Sequence, residues 1–364
     1  MKLKVVILTQ DQKYAERFLE AVMLRFAESM EVSVFSRTDR AVAKALQSRS
    51  DIFLSDIGMI SDDVQLPKYC SLVYFVDKKE IAVIDNHRAI MKYQSLDAIY
   101  KCLLDVYADQ IGSDNIGVYS GSQESRIITF FSGAGGVGAS TMAAACAEYI
   151  AKEKKESVIY LNLEQTGAAD QYFKADGNQD FSKVLYALSI NNNGSRMKME
   201  SALKQDQSGV YFYSCSSSAL DMLELYEDMI DNLFHALNEM KLFQWIVVDM
   251  DFSLTEQVYR QIERSVKTVM VSDGSQQANY KLTRKLKALE LISEQREAFP
   301  INRIFLLYNR FSSKNGERLE NTAFKTAGGV NRIEADSQTE LIQMLVSSKG
   351  TVYENLLDLK GSNQ

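Results

Sequence analysis

The stretch ITFFSGAGGVGASTMAAA, residues 128–145, constrains the fold of this chain more than any other. An apolar run of strand character passes directly into Gly133-Ala134-Gly135-Gly136-Val137-Gly138-Ala139-Ser140-Thr141, and a run of small helix formers follows at once. A strand that turns through glycines into a helix is the opening of a strand-helix-strand unit, whose next strand lies parallel to the first. Glycines in such a turn let backbone N–H groups curl around an anion, and the helix N-terminus adds partial positive charge. The spacing from Gly133 through Gly138 to Ser140 fits the phosphate-loop pattern GxxxxG[K][ST], except that Ala139 stands where the lysine belongs. The plainer alternative is a tight turn that needs glycine for backbone reasons alone.

The rest of the chain repeats this grammar. Before the loop, KVVIL (4–8), VSVF, DIFLSD, SLVYFV and IAVID alternate with helical patterns at 13–29 and 38–47, and SLDAIYKCLLDVYAD closes the unit. After it, SVIYLNL, GVYFYS, WIVVDMD, TVMVSD and RIFLLYN alternate with helices. The expected fold class is therefore α/β, with two doubly wound domains. With only two prolines in the chain, the polar, glycine-rich IGSDNIGVYSGSQES marks the boundary. This gives a first domain over 1–110, a linker over 111–125 and a second domain over 126–364. In such sheets functional residues collect at the carboxyl ends of strands.

Composition excludes several functions. Lys and Arg number 41 against 48 Asp and Glu, a net charge of −7, which disfavours a general phosphate-backbone binder. The basic run KLTRKLK (281–287) reads as the solvated face of a helix. No apolar run reaches about 18 residues, so direct membrane insertion is not expected, and the final residues lack the basic face of a surface-bound helix. Cys70, Cys102, Cys146 and Cys215 have no metal-type spacing, and His87 and His235 are the only histidines. The chain reads as cytoplasmic, with free thiols.

SGAGGVGAST followed by AAACAEYIA resembles the deviant phosphate loop of the MinD/ParA ATPases, written KGGxGK[ST]. Both lysines of that pattern are missing here, at Ala134 and Ala139, which implies little or no ATP hydrolysis. The resemblance implies that Gly133 to Thr141 cradle ATP and that Ser140 and Asp249, in QWIVVDMD, hold Mg2+. In VIYLNLE it places Asn162 and Glu164 where the family carries Asp-x-Asp, leaving Glu164 as the carboxylate to orient water. In LLYNRF it puts Asn309 on the adenine edge with Arg310 beside it. Plainer roles stand next to each: a helix cap for Asp249 and Asp251, a solvated loop charge for Glu164, a turn residue for Asn309.

Residues 1–110 resemble a response-regulator receiver, a flavodoxin-like fold. DIFLSDIGM places Asp56 as phosphoacceptor and MKYQSLDAI places Lys92 as the receiver lysine, with Tyr93 replacing the proline after it. Thr9 and Gln10 occupy the acidic pair that holds magnesium, with Asp11 alone nearby, and Val76 or Asp77 displaces the Ser/Thr of the fourth strand. A degenerate receiver fused to a degenerate MinD/ParA domain resembles the TadZ/CpaE family. This implies a homodimer that binds ATP, recruits pilus and secretion assembly proteins, and localises to a cell pole for a Flp-type pilus. Two alternatives stay open: an active ATPase using Arg310, Lys314 or a partner-chain residue, and a phosphorylation switch at Asp56.

Overall fold

A computed structural model of the chain describes residues 2–358 apart from 28, 61–63, 65, 68, 79–80, 82, 86, 112–123, 178, 191–194, 313, 315, 321 and 349. The linker expected over 111–125 falls almost wholly outside the described residues. Two compact units form, one from Met1–Ser120 with Tyr186–Ala202, the other from Gly121–Leu185 with Leu203–Gln364.

The first unit alternates strand and helix as the sequence pattern requires: β1 (Leu3–Leu8), α1 (Gln12–Arg25), β2 (Met30–Phe35), α2 (Thr38–Gln47), β3 (Ile52–Asp56), β4 (Ser71–Val76), the short β5 (Val83–Ile84), β6 (His87–Met91) and α3 (Leu96–Ile111). The sheet order is β2-β1-β3-β4-β6-β5, with every pairing parallel except β5–β6. Apolar side chains fill both faces, and Ile52, Phe53 and Leu54 are fully buried, as parallel strands require. One helix comes from far along the chain. Ser195–Ala202 packs on α3, and its Met197 joins the cluster of Leu3, Val5, Ile99 and Leu103. The sequence pattern keeps this segment within the second domain, 126–364; packing instead gives Tyr186–Ala202 to the first unit.

In the second unit the chain runs through β7 (Arg126–Ser132), α4 (Ala139–Tyr149), β8 (Val158–Asn162) and α5 (Ala169–Tyr172); α6 (Phe181–Ile190) begins in this unit and its residues from Tyr186 count with the first, and the helix Ser195–Ala202 is α7. It continues with β9 (Lys204–Gln205), β10 (Tyr211–Phe212), α8 (Glu227–Met240), β11 (Trp245–Met250), α9 (Glu256–Arg264), β12 (Lys267–Ser272) and α10 (Gln276–Gln295). β13 (Ile304–Tyr308), β14 (Lys325–Gly329), α11 (Gln338–Ser348) and α12 (Gly350–Asp358) complete it. The eight strands lie in the order β14-β13-β12-β7-β11-β8-β10-β9, all parallel but for the edge pair β9–β10. β11, β12 and β13 are buried along their whole length.

The small residues after the glycine loop have a packing reason. From Met142 to Tyr149 every residue of α4 is buried, and Ala143 to Ala147 are fully so, between the sheet and α11. A helix so enclosed can approach its neighbours closely only with short side chains. Cys70 and Cys146 are buried, Cys102 and Cys215 half-buried, and all four are free thiols. Among the described residues no helix is long and apolar enough to cross a membrane.

Candidate functional site: the glycine loop and a carboxylate pair

The loop is fixed by its surroundings at each turn. Gly133 donates its N–H to Val271 O at 2.7 Å, and a Cβ on Gly133 would lie 2.7 Å from that same oxygen, so only glycine fits there. Gly138 caps α4 at φ 84°, in the left-handed region, and a Cβ there would lie 2.4 Å from Asn309 Nδ2. Three loop carbonyls are taken by side chains. Ser132 Oγ donates to Ala134 O, Arg310 Nη2 to Gly136 O, and Asn309 Nδ2 to Val137 O at 2.9 Å. A trans peptide points its N–H opposite to its C=O, so the N–H groups of Gly135, Val137 and Gly138 face away from these donors. Ala134 and Ala139, at the two lysine positions, are each 7% exposed.

Asn309, expected on an adenine edge, is 6% exposed and spends its amide on the loop. Arg310 adopts φ 55° beside it and also grips the loop. Both belong to the wall of a cavity of about 420 Å³ that includes Ser132, Gly135, Ser140, Thr141 and Asp251. Lys314 is exposed and not in that wall.

The floor of the cavity carries two carboxylates. β11 pairs with β8 so that Asp249 lies opposite Asn162. Asp249 is 1% exposed; its Oδ2 accepts from the Tyr160 hydroxyl at 2.7 Å and from Asn162 Nδ2 at 3.0 Å. Asn162 also donates to Glu164 Oε2 at 3.1 Å, and Ser140 Oγ donates to Glu164 Oε1 at 3.2 Å. Burial, and then the Glu164 charge within hydrogen-bonding reach, push the Asp249 carboxyl well above the ordinary range. An all-oxygen set of two carboxylates and a hydroxyl suits a hard divalent cation, which would relieve the repulsion that now raises Asp249. Asn162 ties the pair together, and Tyr160 holds Asp249 and accepts from Asn162. Alternation along β8 puts both on one face, a signal available in the sequence once Asn162 is singled out.

At the carboxyl ends of β1, β3 and β6 the first unit forms a closed polar cluster. Lys92 Nζ donates to Asp56 Oδ1 at 2.8 Å and Oδ2 at 2.9 Å, and to Thr9 Oγ1 at 3.0 Å, while Thr9 Oγ1 donates to Asp56 Oδ2 at 2.5 Å. The Lys92 side chain is 8% exposed and Asp56 23%. Tyr14 closes one side, its ring centroid 5.0 Å from the ammonium. Asp11 is a helix cap: it accepts from Tyr14 N at 3.0 Å and the Tyr93 hydroxyl at 3.2 Å, the first of which chiefly lowers its pKa. Among the described residues no three His, Cys, Asp or Glu side chains gather in a metal-holding group.

The family of TadZ-like receiver domains matches residues 1–108. Over the rest of the chain the similar solved structures are ATPases of the ParA and MinD kind. A ParA-family ATPase from Chlorobium tepidum TLS matches 65% of this chain and 98% of its own, at 17% identity and a TM-score of 0.52. A plasmid partition protein from Borrelia burgdorferi (18% identity, 65% and 99% covered, TM-score 0.49) and the cell division ATPase MinD of Pyrococcus furiosus (17%, 64% and 98%, 0.48) are also similar. At 17% identity the likeness to the ParA-family ATPase establishes the fold alone. No curated protein matches the chain. The match to TadZ-like receiver domains at residues 1–108 is thus followed by a fold like that of the ParA-family ATPase.

Thr9 and Gln10 stand just after β1, where the receiver resemblance expects an acidic pair. The Lys92 ammonium supplies to Asp56 the positive charge a metal would bring.

Proposed function

We propose that this chain is a nucleotide-binding, largely non-hydrolysing scaffold for localisation and assembly in a bacterial Flp-type pilus secretion system, dimerising with ATP. The observation that carries the reading is the shape of the glycine loop. Its carbonyls are held by Ser132, Arg310 and Asn309, its exposed glycines line a cavity, and it opens onto α4's N-terminus. Backbone N–H groups and a helix end can hold phosphate without a lysine. Ser140 and Asp249, with Glu164 beside them, would hold Mg2+, which would neutralise phosphate charge. Gly133 to Thr141 would surround the phosphates.

Buried Ala134 and Ala139 leave both lysine positions without charge, which supports binding over turnover. The Lys92–Asp56–Thr9 cluster supports a receiver used for its surface, because its phosphoacceptor oxygens are already occupied. The partners we assign are a second copy of the chain and pilus assembly proteins at a cell pole, not nucleic acid or the bilayer interior. Light scattering of the full chain with and without Mg-ATP tests the scaffold; a mass that does not double with Mg-ATP sinks the nucleotide-held dimer. An active ATPase has one feature in its favour, Arg310 in the cavity wall. Phosphate release that exceeds the buffer baseline and disappears in Arg310→Ala would establish it.

A further inference from the structure

We propose that Lys285, on α10, is the cation that meets the outer phosphates of a bound nucleoside triphosphate, replacing the lysines the loop lacks; this rests on the nucleotide reading above. Lys285 Nζ donates to Ser132 O at 2.7 Å, at the residue where β7 ends and the loop begins. One turn earlier, Leu282 packs at the same junction, 3.5 Å from where a Cβ on Gly133 would sit. The helix is thus anchored against the strand end of the loop, while α4 starts at its other end. Ser132 and Asp251 both belong to the cavity wall, and Asp251 acts electrostatically on Lys285.

The ammonium is half-buried and under-compensated. Its one hydrogen bond among the described residues is to a carbonyl, and it lies 4.8 Å from the centroid of the Phe252 ring. An ammonium has three donors, so two remain for a ligand. Burial, and then the like charge of Lys281 one turn away, push its pKa down. A like-charged pair at this spacing is unfavourable on a helix unless an anion meets it. Lys285 adjoins the cavity wall through Ser132 without belonging to it; among the described residues of that wall, Glu164, Asp249 and Asp251 face Arg310 alone, and Arg310 is bound to Gly136 O. A triphosphate adds further negative charge. To meet Lys285, its outer end has to reach the strand end of the loop at Ser132, whose carbonyl the ammonium holds.

The test is a fluorescent-nucleotide competition on the full chain with ATP and ADP, in Mg2+, for the wild type, Lys285→Met, Lys285→Gln and Lys285→Arg. Melting curves accompany each protein, and the glutamine variant serves if the methionine variant does not fold. Loss of one charge-assisted phosphate contact weakens ATP about 10- to 100-fold in the neutral variants. ADP changes by less than about threefold, and Lys285→Arg stays near the wild type for both. Neutral variants that bind ATP as the wild type does overturn the proposal. So does an equal loss of ATP and ADP with a lowered melting point, which marks Lys285 as a strut for Ser132. A wild type that binds neither nucleotide defeats the nucleotide reading itself, and is told apart because no variant is then needed to see it.

Discussion

Asp249→Asn should make the metal-free protein more stable and, at the same time, blind to Mg2+. Asp249 is nearly without solvent and stands within hydrogen-bonding reach of Glu164. Two full charges about 4 Å apart at an effective dielectric near 20 repel by about 4 kcal/mol. Part of that is already relieved because burial lets Asp249 keep its proton to higher pH. The remainder, with the desolvation of one charge, leaves a gain of about 1–3 kcal/mol for the neutral amide. The carbonyl of that amide can still accept from Tyr160, and its NH2 can donate to Glu164. In a unit of this size each kcal/mol raises Tm by about 2–4 °C. Differential scanning fluorimetry of both proteins, in chelator and then in millimolar Mg2+, reads both effects. The wild type should melt lower in chelator and rise with Mg2+, while the variant starts higher and stays put. The variant's advantage should shrink as pH falls and Asp249 regains its proton. A variant that melts below the wild type in chelator, or gains as much from Mg2+, would mean that Asp249 neither repels Glu164 nor holds the metal.

Gly138→Ala should cost about 1–3 kcal/mol through its positive φ and the clash with Asn309. Asn309→Ala should cost about as much by unpairing Val137 O, and the double variant should lose less than the sum in urea denaturation. Lys92→Met, which strands Asp56 against Thr9, should destabilise the first unit by about 2–3 kcal/mol, again by denaturation. Beryllofluoride should leave the tyrosine fluorescence of the wild type unchanged, since Lys92 and Thr9 already hold the Asp56 oxygens. Burial lowers the Lys267 ammonium to about 8, so between there and its ordinary 10.5 the folded chain binds fewer protons than the unfolded one. Stability from this group therefore rises across that window, by about 1–2 kcal/mol, and Lys267→Met should flatten the rise in denaturation curves compared across pH.

The elements legible in the sequence are those set by local pattern. Apolar runs at Leu3–Leu8 and Trp245–Met250 become central strands, and the glycines at 133 and 138 stand where backbone geometry admits no side chain. The carboxylates at the ends of β8 and β11 also fall where doubly wound sheets collect function. What escapes depends on pairing across distance. SRMKMESA has the same helical pattern whichever core it joins, so nothing local assigns α7 to the first unit. Asn309 and Val137 are 172 residues apart, and a strand-end asparagine facing a ligand looks identical in sequence to one bracing a loop. Lys285 lies hidden in KLTRKLK for a related reason. Periodicity marks a basic stripe, but only the packing of Leu282 at Gly133 reveals that part of it turns inward.

The proposed function requires a nucleotide to be held at the glycine loop without a loop lysine. Calorimetric titration of the full chain with ATP measures this directly, in the presence of Mg2+ and again with the metal chelated. Saturable heat with Mg2+, strongly reduced by chelation and by Ser140→Ala, is the expected result. No heat at millimolar ATP would mean that the loop is only the turn joining β7 to α4.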